Sequence, residues 1–185
     1  MITIIRTLPP DMNNLYGGVQ LFRLPQKDFE LIAETEKRKI DWRNIDPHSD
    51  YGYIVEVDLI YPKEIQDLTK SFPLCPENME IVYNMLSPYQ KSCLRNLSNR
   101  ESYKSRKLTA IFFPKTKIVL HGLLLSLYLK LGMKITKVHR CIRFRQSDYL
   151  RSWVNFCTEK RTKSVDAFSK KNWKATVNIV FGKRY

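Results

Sequence analysis

Residues 51–62 read YGYIVEVDLIYP, and this stretch decides the fold class. Tyr53, Val55, Val57, Leu59 and Tyr61 alternate with Ile54, Glu56, Asp58 and Ile60, and Pro62 stops the run. A period of two with β-branched and aromatic residues predicts a half-buried strand, apolar on one face and carrying two carboxylates on the other. Outward from it, residues 2–5 (ITII) predict a strand stub ended by Pro9-Pro10, and Asp11 to Gly18 a turn-like segment. Residues 26–39, charged with scattered apolar positions, suggest a helix. The Pro-punctuated, increasingly basic segment 63–107 suits a surface insertion more than a core layer. Beyond it, Lys117–His121 predicts a strand, Leu123–Leu131 a helix closed by Gly132, and Lys134–Arg145 a basic extended strand. Ser147 is placed to cap a helix carrying Trp153, Val154 and Cys157, and a last helix runs from about Asp166 to Phe181. Strands and helices in this order give an α+β fold with no obvious linker or repeat.

The chain has 185 residues and a net charge of +14, unevenly placed. Residues 1–90 carry 9 Lys/Arg against 14 Asp/Glu, whereas residues 91–185 carry 23 against 4. A surface that follows a phosphate backbone has this asymmetry, although a basic solvated face or an anionic membrane surface shares it. Aromatic residues interleave with basic ones, as in Arg143-Phe144-Arg145 and Trp173-Lys174. That pattern serves base stacking but more often marks core. Cys75, Cys93, Cys141 and Cys157 form no CxxC pair and have no zinc-ligand spacing, so free thiols are expected. The stretch Val119–Leu131, interrupted by His121 and Lys130, is too short to span a bilayer. MITIIRTLPP lacks the apolar core and cleavage site of a signal peptide. The expectation is a soluble, intracellular protein with no membrane partner.

The last helix holds the chemistry. Lys170, Lys174 and Asn178 recur at i, i+4 and i+8 on one stripe, with Trp173, Val177 and Phe181 on a neighbouring apolar stripe that can dock it. Two ammonium groups and an amide on a packed base suit a polyphosphate. Taken by itself, such a stripe is more often a solvated face.

Residues 174–182, KATVNIVFG, resemble the K-x-x-x-N-x-x-Y/F-G signature on the fingers helix of family B DNA polymerases. RFRQSDYLRSWVNFCTEKRTKSVDAFSKKNWK, 143–174, resembles the approach to that signature in the protein-primed members found in bacteriophages, organellar plasmids and self-synthesising DNA elements of animals. DMNNLYG, 11–17, is similar to their D-x-x-N-L-Y-G/P motif, and GYIVEVDLIYP and FPLCPENMEI resemble the animal-element enzymes. The resemblance spans residues 11–183 in order.

It implies a partial palm within 1–62, an insertion and further palm within 63–146, and fingers within 147–185. Asp11 would bind both catalytic Mg²⁺ ions, and Tyr16 would exclude a ribose 2′-hydroxyl. Lys174, assisted by Lys170, would contact the phosphates of an incoming deoxynucleoside triphosphate. Asn178 and Phe181 would line the nascent base pair, which Gly182 lets the helix approach. Arg140, Arg143, Arg145, Lys160 and Arg161 would contact template-primer DNA, and a terminal priming protein is an implied partner. The paired acidic motif D-T-D that completes the metal site is not within 1–185, so this polypeptide by itself is expected to be inactive. Glu56 and Asp58 read as structural, or as a polar strand face. The alternative function is a non-enzymatic, basic nucleic-acid-binding protein.

Overall fold

A computed structural model describes residues 3–4, 22–98 and 102–180, with the side chains of 22–98 and 102–177. The fold is α+β, as the element pattern predicts. The strands are β1 (Thr3–Ile4), β2 (Leu24–Leu31), β3 (Tyr51–Ile60), β4 (Glu77–Val82), β5 (Lys104–Ala110), β6 (Lys115–His121) and β7 (Lys134–Ser147). The helices are α1 (Glu34–Lys37), α2 (Gln66–Thr69), α3 (Pro88–Ser98), α4 (Gly122–Lys130), α5 (Tyr149–Lys163) and α6 (Ala167–Val180). Strand order is β1–β5–β4 in one sheet and β2–β7–β3–β6 in the other. The chain divides into two compact units, and β3 and β7 contribute residues to both.

The first unit holds Thr3–Ile4, Ala33–Ile45 and Ile54–Cys141. Val55, Val57 and Leu59 are buried on alternate positions of β3, which bears out the period-two reading. From Ile54 on, β3 pairs antiparallel with β6, Val55 opposite Leu120 and Val57 opposite Ile118. The next pair is Leu59 with Lys115, so β6 carries one extra residue, and Lys117 there takes φ 51°. Such a bulge frees an amide from the ladder. The Lys117 N–H donates to Asp58 Oδ1 at 2.7 Å, and His139 Nε2 lies 2.8 Å from the same oxygen. The Lys117 amide, then His139, hold the Asp58 carboxyl below its usual range. Glu56, one pleat away, takes a bidentate pair from Arg140 at 2.9 and 3.1 Å. Both carboxylates are therefore engaged by neighbours in the sheet, which accords with reading them as structural or as a polar strand face.

The segment 63–107 departs from its reading as a surface insertion. It supplies β4 and most of β5, paired from Glu77–Thr109 to Val82–Lys104, and buries Leu74, Cys75 and Ile81. Tyr61 ties its start down: the hydroxyl accepts from Leu74 N at 3.2 Å and contacts Thr69 Oγ1, which donates to Ile65 O. Helix α4 forms where expected. His121 Nδ1 accepts from Leu123 N at its start, and Gly132 ends it at φ 105°. Met133 N to Tyr128 O and Gly132 N to Leu129 O are the paired bonds of a left-handed helix stop.

The second unit holds residues 22–32, Asp46–Tyr53 and 142–180. Here residues 24–31 are a strand, which overturns the helix suggested over 26–39; only Glu34–Lys37 is helical. β2 pairs with β7 from Leu24–Ser147 to Leu31–Ile142, with a bulge between Lys27 and Glu30 where Asp28 takes φ 56°. Pairing outweighs weak helix propensity. Phe144 is fully buried over Gly52; a Cβ at residue 52 would lie 2.4 Å from its ring, so only glycine fits there. Ser147 is the last residue of β7 rather than a helix cap, and its Oγ bonds Gln26 Oε1. Asp148 stands at the cap position of α5.

Candidate functional site

Helices α5 and α6 form a hairpin turned by residues 164–166. Asp166 caps α6: its Oδ1 accepts from Ser169 N at 2.8 Å, and the bonds from Ser169 hold the carboxyl below its ordinary range. The described part of the expected apolar stripe, Trp173 and Val177, docks the helix. Val177 is buried with Val154 and Cys157, Trp173 meets Phe156 edge-on at 5.9 Å, and Phe156 stacks on Trp153 at 6.0 Å.

Between the two helices lies a cleft of about 440 Å³. Its floor is Val154, Cys157, Trp173 and Val177; its rim is Thr158, Arg161, Thr162, Lys170 and Lys174. Thr158 donates to Val154 O and Thr162 to Thr158 O, so their protons are committed to the helix. That leaves three cations as the donors of the rim. Among the described residues none of the three has a carboxylate within ion-pair distance, whereas nearby Lys163 contacts Glu159. An apolar floor beneath uncompensated charge strengthens attraction for an anion, because part of the water is excluded.

The structure thus brings Lys170 and Lys174 together with Arg161, a residue the sequence places among DNA contacts. Nothing in the sequence states which turn of α5 faces α6. The other expected DNA contacts each have a neighbour of their own. Arg140 is engaged with Glu56. Lys160 lies over the Phe156 ring at 5.4 Å. Arg143 Nε bonds Glu30 Oε1 at 2.6 Å, and Arg143 and Arg145 place their guanidinium carbons 5.3 and 5.7 Å from the Tyr51 ring centroid. Tyr51 was not among the sequence candidates; the R-x-R spacing of residues 143–145 hinted at one face, but the partner on β3 depends on register.

Asp11, Tyr16, Phe181 and Gly182 lie outside the described residues, and for Asn178 only its place in α6 is described. Among the described residues no group of three or more His, Cys, Asp or Glu side chains could hold a metal ion. Glu56 and Asp58 do not fit that role, since each already has cationic or N–H partners. No helix among the described residues is long and apolar enough to cross a membrane.

Fold and site together define an α+β protein with a basic, cleft-bearing helical hairpin. No family model, no curated protein and no solved structure matches the chain.

Proposed function

We propose that the chain is palm and fingers sequence of a protein-primed family B DNA polymerase, and that the cleft between α5 and α6 receives the triphosphate of an incoming deoxynucleotide. The observation that carries this reading is the grouping of Arg161, Lys170 and Lys174, without carboxylate partners among the described residues, on one concave rim. The signature KATVNIVFG supplies Lys174, the same helix one turn earlier supplies Lys170, and the packing of the two helices adds Arg161. In this reading the three cations bind and orient the phosphates, and Asn178, Phe181 and Gly182 border the base pair. Tyr16 excludes ribose, and Arg145 touches the template-primer. The magnesium component rests on Asp11 and awaits the D-T-D carboxylates. A terminal priming protein is the proposed partner, inside the cell.

The test is titration of a fluorescent deoxynucleoside triphosphate with wild type, Lys174→Ala and Lys170→Ala. Hydrogen bonds to charged groups contribute about 1.5–3 kcal/mol, so Lys174→Ala should weaken binding roughly tenfold or more. Inorganic tripolyphosphate should compete. Unchanged affinity in both variants would remove the nucleotide reading. The non-enzymatic alternative is favoured by exposed Arg145 beside Tyr51, which suits nucleic acid without any nucleotide chemistry. It predicts salt-dependent DNA affinity with no response of nucleotide binding to Lys174.

A further inference from the structure

Tyr51 begins β3 and is 40% exposed. It stands on the face opposite Gly52, whose backbone is covered by buried Phe144. Arg143 and Arg145 are two residues apart on β7, hence on one face and about 6.8 Å apart along the strand. Both guanidinium groups reach the Tyr51 ring. Charge around this ring is only partly balanced. Glu30 pairs with Arg143 and Asp50 contacts Arg23, while Arg145 has no carboxylate partner among the described residues. Two like charges two residues apart on a strand repel each other, and the ring quadrupole offsets only part of that. What remains is an exposed set of flat π surfaces with one uncompensated cation beside them.

We propose that Arg143, Tyr51 and Arg145 form a stacking platform for an unpaired nucleic-acid strand, the planar groups meeting bases and Arg145 meeting a phosphate. Unpaired bases present π faces to aromatic and guanidinium planes, whereas duplex bases are stacked on each other. The platform is built by β3 and β7 and not by α5 and α6, so it stands whether or not the cleft binds nucleotides.

The experiment measures anisotropy of a labelled short oligo(dT) and of a duplex of equal length, with the full chain and variants. Tyr51→Ala should weaken oligo(dT) binding about tenfold, and Tyr51→Phe, which keeps the ring, should bind like wild type. Arg145→Gln should lower the salt slope by about one and serves as the test if Tyr51→Ala does not fold. Irradiating a 5-iodouracil oligonucleotide should crosslink it to the peptide containing Tyr51. Wild-type affinity in Tyr51→Ala, equal losses on duplex and single strand, or crosslinking confined to other peptides would each overturn the proposal. Deoxynucleotide titration separates the two sites: Tyr51→Ala should leave it unchanged, and Lys174→Ala should not.

Discussion

Replacing Glu77 with Ala should destabilise the first unit more than any exposed substitution. The reason is its partner, Lys115, whose side chain is 0% exposed. The ammonium donates to Glu77 Oε2 at 2.9 Å and to the Ile111 carbonyl at 3.0 Å. Without the carboxylate a buried charge keeps one neutral acceptor, and breaking a buried pair in this way costs about 3–5 kcal/mol. The reverse change, Lys115→Met, leaves Glu77, which is 27% exposed and can rehydrate. Methionine also fills most of the lysine stem's space, so a loss of about 1–2 kcal/mol is expected. The double variant should resemble Lys115→Met, which makes the coupling about 3–5 kcal/mol, the full cost of Glu77→Ala. Against a total stability of about 5–15 kcal/mol, Glu77→Ala alone removes a large fraction. Urea denaturation gives the free energies, and amide hydrogen exchange along β4 and β5 assigns the loss to this unit. If Glu77→Ala costs less than about 1 kcal/mol, or if Lys115→Met costs more than Glu77→Ala, Lys115 does not require its partner and the reasoning fails.

Other consequences are as direct. Gly52→Ala places a methyl 2.4 Å from the buried Phe144 ring and should destabilise by about 1–3 kcal/mol in a urea melt, with a neutral result excluding this packing. His121 accepts from Leu123 N only when neutral at Nδ1, and burial lowers its pKa. Its contribution is complete above the unfolded value of about 6.5 and is lost as pH falls through the lower folded value. Melting temperature followed from about pH 7.5 to 5 should drop less in His121→Asn, which keeps a capping acceptor that does not titrate; an unchanged slope counts against the cap. Burial pushes the Cys75 thiol up to about 11, and Cys157 is raised for the same reason. Iodoacetamide should therefore label half-buried Cys93 first, and Cys75, Cys141 and Cys157 only on unfolding; early labelling of Cys75 would contradict its burial.

Much of the secondary structure was legible where one face of an element is buried. The alternation in β3, the helix α4 with its glycine stop, and the apolar stripe of α6 each carry a period that survives without knowledge of a partner. Segment 26–39 has no such period: its apolar residues are scattered, and what makes residues 24–31 a strand is pairing with β7, including a bulge at Asp28. Segment 63–107 hides its buried residues for a related reason. Its prolines and lysines look solvated, yet Leu74, Cys75 and Ile81 are buried, and nothing local announces that.

The sequence by itself determined the α+β class, the basic second half, and the stripe of Lys170 and Lys174, because composition and spacing along one element are local properties. Only the tertiary structure decided that Arg161 joins those lysines, that Glu56 and Asp58 are taken up by Arg140, Lys117 and His139, and that Tyr51 sits against Arg143 and Arg145. The first depends on how two consecutive helices pack, and the other two on the register between strands distant in sequence. A shift of one residue along a strand would send every side chain to the opposite face.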